Sequence, residues 1–271
     1  MFTRTTGFLI VSVWLVAMSW VIDRDVLPAW TAPPAPAFQP SEWQKSDGLR
    51  SQYGIYDEFG RMGTVWSEYL IGQQASQRED LVWIARSSLG LAPLRIKVLS
   101  IYTSLGELDE FTVTLDKDGT AMKLHGERFH SAFSFSLRTG TIDPTFKIPL
   151  SDGDVLGAAF NPVVDFTNLR VGQRWRMQVV NPIACLTGMG KRFTPVVVEV
   201  TAEDVVTLDD GKHNCLVVES PNVKVWVDAN GATLVQEITL PILGKTRIVR
   251  QSKFDEIARS DARNFVFGAT P

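Results

Sequence analysis

The residues best suited to chemistry in this sequence are three histidines and two cysteines. His125 and His130 stand five positions apart, so on one continuous strand they point to opposite faces and do not form a metal site. His213 and Cys215 share a strand face, but this i, i+2 spacing rarely places a base where a cysteine nucleophile needs it. No GxSxG, HExxH, CxxC or P-loop motif occurs. The sequence therefore predicts no catalytic residues, metal or cofactor, and a protein that is not an enzyme.

The two cysteines have a structural interpretation as well. Cys185 and Cys215 could form a disulfide if the domain lies outside the cytoplasm. Two separate buried thiols remain the alternative.

An uncharged apolar stretch, Gly7–Ile22, opens the chain. It is long enough for a short membrane span, and Arg4 before it places the N-terminus in the cytoplasm by the positive-inside rule. We therefore predict a signal anchor over residues 1–25, with a single pass through the inner membrane and a periplasmic or other extracytoplasmic domain. A cleaved signal peptide is the main alternative, since Ala17-Met18-Ser19 has the small-x-small form of a cleavage site, and a buried helix of a soluble protein is the third.

A tether is predicted between the anchor and the folded part, over residues 26–47. Five prolines with interspersed alanines occur from Pro28 to Pro40. Such a composition cannot form a helix interior or a central strand, and is typical of an extended spacer.

The rest of the chain shows the period-2 alternation of half-buried strands. It is clear in residues 111–115, 131–137, 174–179 and 222–227, and Asn and Gly residues typical of hairpin turns lie between such segments. We predict an all-β fold with 12 to 14 strands: a curved antiparallel sheet, a half-barrel or a sandwich. The predicted β domain covers residues 48–255, with a possible division into two subdomains near 150–172, and residues 256–271 are predicted to be a C-terminal tail.

Three short motifs carry a resemblance to known proteins. Tyr53–Gly63, Leu169–Trp175 and the VWVDANG segment at 225–231 resemble a diffuse group of bacterial envelope domains. The group comprises the DUF3108 type, the LolA/LolB-like fold and the β-rich domain that precedes some bacterial transglutaminase-like proteins. The resemblance implies a curved antiparallel sheet whose concave apolar face holds an acyl chain.

Function is predicted from these features together. Net charge −3 and a pI near 5.7 argue against a nucleic-acid partner. The leading hypothesis is a non-enzymatic, membrane-anchored domain that binds a lipid or lipoprotein acyl chain, or that assists other proteins in envelope assembly. A structural or interaction subunit of a membrane complex is the alternative, and a hydrolase with a scattered site is the third. The predicted ligand residues all lie on strands: Phe111, Val113, Phe133, Phe135 and Trp226.

Overall fold

Fifteen strands build the computed structural model of the chain. It describes residues 12–20, 33, 50–72, 75–85, 93–104, 108–117, 120–130, 132–138, 145–149, 156–158, 168–180, 193–240 and 244–267. The first eight strands are β1 Arg50–Asp57, β2 Gly60–Ile71, β3 Ala75–Ile84, β4 Leu94–Thr103, β5 Leu108–Lys117, β6 Thr120–Phe129, β7 Ala132–Arg138 and β8 Thr145–Pro149. The other seven are β9 Leu156–Ala158, β10 Arg174–Val180, β11 Phe193–Leu208, β12 Gly211–Ser220, β13 Val223–Val227, β14 Thr233–Leu240 and β15 Gly244–Gln251.

In the part of the chain that the structure describes, two helices accompany the strands. Residues 12–20 form α1, and Glu256–Phe267 form α2. Within the described residues, no helix combines the length and the apolar character needed to cross a bilayer. Of the predicted anchor, residues 1–25, the structure describes only 12–20, and of the predicted tether only Pro33. The predicted C-terminal tail is instead largely α2.

All fifteen strands belong to one sheet, with β8 at one edge and β9 at the other. The first eight strands meander outward from β1 to β8, and β10 to β15 meander back until β15 pairs with β1. Every pairing is antiparallel except that of β9 with β10. The predicted all-β antiparallel class is confirmed, and the predicted subdivision near 150–172 falls where the chain changes edges.

The connection between the two edges shows that the sheet curls. Pro149 ends β8 and Leu156 begins β9, so the chain between them spans at most about 25 Å. A flat sheet of this many strands, spaced about 4.8 Å apart, would separate its edges by about 67 Å. The sheet therefore bends strongly, with one inner and one outer face.

The inner face carries two apolar clusters. The larger comes from β1 to β7 and includes the buried residues Ile55, Val98, Leu124 and Phe133. The smaller comes from β10 to β13 and is built around Trp175, which is 0% exposed. Alternation along each strand places these residues on one face, so burial of the inner face explains the period-2 pattern of the sequence.

The outer face is covered in two places. Ala258 and Ala262 of α2, together with Phe254, pack on Trp66 and Leu81 of β2 and β3. The long hairpin of β11 and β12 covers the outer face of β13 to β15, where its apolar tip residues pack with Cys215, Leu234, Val235, Trp226 and Val249. At the hairpin tip, Asp209 accepts a 2.9 Å hydrogen bond from the Ser252 hydroxyl.

Candidate functional site

An outer groove lies between α2 and the tip of the β11–β12 hairpin. Its volume is about 1220 Å³, compared with about 660 and about 710 Å³ for two other cavities in the described part of the chain. The floor is formed by β2 and β3, and one wall is the first turn of α2 with the segment that leads into it. This concavity is called the outer groove below. It is lined by Gln52, Arg61, Met62, Gly63, Thr64, Trp66, Trp83, Ala85, Asp209, residues 251–253, Phe254, Asp255, Glu256, Ile257 and Ala258.

Apolar side chains are unusually exposed along this groove. Trp83 is 37% exposed and Ile257 is 76% exposed. Trp66, beside Trp83, is 2% exposed, and its indole N–H has no hydrogen-bond partner in the described structure. Exposed large apolar side chains that converge on one concavity are typical of a binding surface.

A glutamine fixes the two walls of the groove relative to each other. Gln52, which is 8% exposed, donates to Gln251 Oε1 at 2.7 Å and accepts from the backbone N–H of Asp255 at 2.7 Å. Asp255 in turn caps α2 by accepting from the Ala258 N–H at 2.9 Å. The start of α2 is thus held against β1 and β15 by hydrogen bonds, which gives the groove a fixed shape.

Ion pairs hold the remainder of α2 in place. Arg259 pairs with Glu68 and lies 3.1 Å from Glu79, and all three side chains are at most 15% exposed. Lys97 approaches Glu79 at 2.8 Å from the neighbouring strand. Two carboxylates in a poorly solvated position require such cationic partners, so these contacts tie the helix to the floor of the groove.

The predicted ligand residues of the inner face lie in a packed core. Phe111, Val113, Phe133 and Phe135 are at most 6% exposed. The rings of Phe133 and Phe135 are 5.1 Å apart, and Phe111 stacks 5.7 Å from Phe133. None of the four lines the three cavities found in the described residues. Their role in ligand binding stays a prediction, without support from a cavity.

The inner face also carries charge, so it is not wholly the apolar face that the resemblance to envelope domains implies. Arg78 is 6% exposed, lies 2.8 Å from Asp80 and donates to the Tyr69 hydroxyl at 2.7 Å. Ser67 donates to the same carboxylate. Burial raises the pKa of the nearby Tyr53 above its ordinary value of 10.0, against the opposing effect of Arg250 and Arg78. This polar cluster lies beside the larger apolar cluster.

Trp226 lies on the outer face, as its position in the strand predicts. Its indole N–H donates to Asp204 Oδ2 at 2.9 Å, and Lys224 Nζ lies 5.1 Å from the ring centre. The hydrogen bond from Trp226 is the main reason that the pKa of Asp204 is lowered. Trp226 packs under the β11–β12 hairpin and does not line any of the three described cavities, so its predicted ligand role has no support here.

Cys215 and His213, the candidate nucleophile and base, bond to different partners. Cys215 is a free, buried thiol that contacts the carbonyl oxygen of Asp204 at 3.3 Å, while His213 bonds Asp210 at 2.7 Å. Burial, followed by the charge of Asp204, raises the pKa of Cys215, which disfavours the nucleophilic thiolate. Cys185 lies outside the described residues, and because Cys215 is a free thiol in the structure, the predicted disulfide has no support here.

The remaining two histidines, His125 and His130, line none of the three described cavities. His125 lies on the outer face, where its Nδ1 is 3.2 Å from the Thr112 hydroxyl, and His130 occupies the turn after β6. Among the described residues, no group of three His, Cys, Asp or Glu side chains is placed to hold a metal ion.

The sequence analysis missed the groove residues, although a signal was present. Trp66 and Thr64 alternate with apolar inner-face residues on β2, and Trp83 does so on β3, so all three belong to the outer face. The register pairs Thr64 with Trp83 and Trp66 with Leu81. A large aromatic side chain on the outer side of two consecutive strands indicates that something packs there.

Comparisons with known proteins add little to this geometry. No family model and no curated protein matches the chain. A β-barrel-like DUF1849 protein from Brucella abortus is 9% identical, over 74% of this chain and 94% of that one, with a TM-score of 0.43. A DUF1089 protein from Pseudomonas aeruginosa is 14% identical, over 63% and 87%, with a TM-score of 0.39.

A third similar structure is a protein with a YmcC-like fold from Bacteroides fragilis. It is 10% identical, over 80% of this chain and 98% of that chain, with a TM-score of 0.29. The descriptions of these three structures name neither the DUF3108 nor the LolA/LolB type. Such low identities and TM-scores support no conclusion about function.

Proposed function

We propose that the chain is a non-enzymatic β domain, tethered to the membrane by its N-terminal apolar stretch and located outside the cytoplasm, which binds an apolar ligand in the outer groove. A lipid or lipoprotein acyl chain is the proposed class of ligand. The observation that carries the proposal is the concavity of about 1220 Å³ in which Trp83 and Ile257 expose apolar surface. The proposed compartment rests on Gly7–Ile22 and on Arg4 before it.

The outer groove suits this ligand better than the inner face does. The Phe rings of the inner face already contact one another, so an acyl chain there would have to displace packed side chains. In the outer groove, by contrast, a ligand gains contact with Trp83 and Ile257 without disrupting the core. Removing their apolar surface from water favours binding by about 25 cal/mol per Å² before the costs of association.

The polar rim supports an amphipathic ligand. Arg61 donates to the Thr64 hydroxyl at 2.9 Å and approaches Gln251 Oε1 at 3.3 Å. Lys253 and Ser252 lie along the same wall. An apolar floor with a few polar groups at one side is the usual arrangement where an apolar body binds and a polar end faces water.

An interaction subunit is the second candidate. The same exposed Ile257 and Trp83 could receive apolar side chains of a membrane-protein partner instead of a lipid. Binding of isolated acyl chains distinguishes the two, because a surface made for a protein partner has no need to hold a free acyl chain.

The test is a titration of the detergent-solubilised full chain with a fluorescent fatty acid. We expect saturable binding that weakens about tenfold, or about 1.4 kcal/mol, in Trp83→Ala. Leu70→Ala is the matched control, because Leu70 is 59% exposed on the outer face of β2 but does not line the groove. Equal binding by the two variants, or no saturable binding at all, would refute the proposed ligand site.

A further inference from the structure

The outward edge of β10 is only partly covered by its neighbouring strand. β9 pairs with Gln178 to Val180 alone, whereas β11 pairs with β10 along its whole length. The first half of β10 therefore has backbone groups that point away from the sheet. One of them, the N–H of Arg176, donates a 2.8 Å hydrogen bond to the carbonyl oxygen of Pro33.

We propose that the edge of β10 that faces away from β11 is a docking site for the chain's own proline- and alanine-rich stretch, residues 28–40. Pro33 is the contact residue of this stretch. The site recognises an extended, proline-containing segment by main-chain hydrogen bonding at an open sheet edge, a known mode of peptide recognition. Extended backbone is what proline favours, so little conformational entropy is lost on docking.

Proline is well suited to a segment that bonds to an edge strand without offering a new edge for further strands to pair with. Pro33 accepts a hydrogen bond through its carbonyl but has no N–H with which to pair a further strand. An uncovered edge strand would offer a template for pairing between copies of the chain. The docked stretch thus protects the edge without extending the sheet.

The contact also shortens the spacer between the apolar stretch and the domain. From Ile22 to Arg50 an extended proline-rich segment would reach about 87 Å, but from Ile22 to Pro33 it reaches only about 34 Å. The β10 edge is therefore held near the membrane. This consequence depends on the proposed membrane tether, whereas docking on β10 does not.

Distance measurement by electron paramagnetic resonance tests the docking on the full chain. Spin labels are placed at Ala32→Cys and Arg170→Cys in a background with Cys185→Ser and Cys215→Ala. Arg170 lies six residues before Arg176, which is at most about 21 Å of chain. We expect one narrow, short distance in the labelled chain, and a broad distribution after Arg176→Pro, which removes the donating N–H.

Arg174→Pro is the matched control, because it also replaces an arginine whose N–H points outward, at the first position of the strand where proline is tolerated. It should keep the narrow distance. A broad distribution in the labelled chain before any proline substitution, or a narrow one in Arg176→Pro, would overturn the proposal.

A second measurement needs no substitution in β10. Hydrogen exchange resolved to single amides should show the Arg176 amide more strongly protected than the outward Arg174 amide in the natural chain. Equal exchange at the two amides would overturn the docking even if the proline variants failed to fold. Neither result of this measurement bears on the proposed membrane tether or on the proposed groove ligand, which are tested separately.

Discussion

Gly126 lies directly beneath two aromatic rings of the inner face. A Cβ at this position would come within 2.7 Å of ring carbons of both Phe111 and Phe133. Neither ring can move freely, because Phe111, Phe133 and Phe135 contact one another. The absence of a side chain at 126 is therefore part of how this core packs.

The first prediction follows from this close approach. Gly126→Ala should lower the free energy of unfolding by about 1–3 kcal/mol, because the added methyl overpacks the core. Chemical denaturation measures the change. Ser134→Ala, on the outer face of the adjacent strand, is the control and should be nearly neutral; a similar loss in both variants would contradict the packed inner face.

The hydrogen bond between Trp226 and Asp204 leads to a second prediction. Since this bond lowers the pKa of Asp204 below its ordinary 3.8, the carboxylate favours the folded state above that value. The stabilisation is lost as the pH falls through the lowered pKa of the folded state. Acidification should therefore reduce the Tm less in Trp226→Phe than in the natural chain.

Thermal unfolding between about pH 6 and about pH 3 is the measurement. Trp83→Phe removes an indole N–H that does not bond Asp204, so it should keep the full pH dependence. The same acid sensitivity in Trp226→Phe and the natural chain would show that the bond has no part in it.

At the scale of elements, α2 is held by one buried arginine and supported by a more exposed one. Arg259 reaches both Glu68 and Glu79 from a side chain that is 10% exposed, whereas Arg263 is 50% exposed and lies 3.7 Å from Glu79. Removing the buried cation leaves the charges of two carboxylates only partly balanced, whereas removing the exposed cation changes the free energy of unfolding little.

We therefore predict that Arg259→Met lowers the free energy of unfolding by about 3 kcal/mol and releases α2 from the sheet. Arg263→Met should change it by less than about 1 kcal/mol. Denaturation and proteolysis after residue 255 monitor the two effects. An Arg259→Met protein as stable and as protease-resistant as Arg263→Met would contradict the proposed anchoring of the helix.

Elements with strong alternation could be predicted from the sequence. β5, β7 and β13 follow the predicted faces, because Phe111, Phe133 and Val225 each sit where period 2 places a buried residue. The turn at Asp228 could equally be predicted, because an Asp at the start of a turn typically bonds the backbone that follows. Here its carboxylate accepts hydrogen bonds from the Asn230 and Ala232 N–H groups.

Other elements carried weaker signals. The face of α2 that packs on the sheet presents Ala258 and Ala262, whose small side chains give little apolar periodicity, and so a tail was predicted. Arg78 and Asp80 share the inner face with Val82 and Ile84, but only the fold shows that they satisfy each other there. The outer groove depends on α2 and the hairpin tip meeting over β2 and β3, which no local pattern encodes.

At the scale of the whole molecule, the curl of the sheet places the stabilising core on the inner face and the groove on the outer face. The inner face is filled by apolar clusters and a satisfied polar cluster, and it gives the domain its stability. The outer face carries the added elements, α2 and the β11–β12 hairpin, and between them the groove that exposes Trp83 and Ile257. The proposed binding at the groove would therefore leave the core undisturbed.

The most direct test of this account is native mass spectrometry of the full chain purified from membranes in mild detergent. We predict that a fraction of the protein carries the mass of a lipid or acyl ligand. That fraction should fall sharply in Trp83→Asp, which places a charge in the groove, and should persist in Leu70→Asp, which places one outside it. A natural chain without bound ligand, or a bound ligand that persists in Trp83→Asp, would contradict the account.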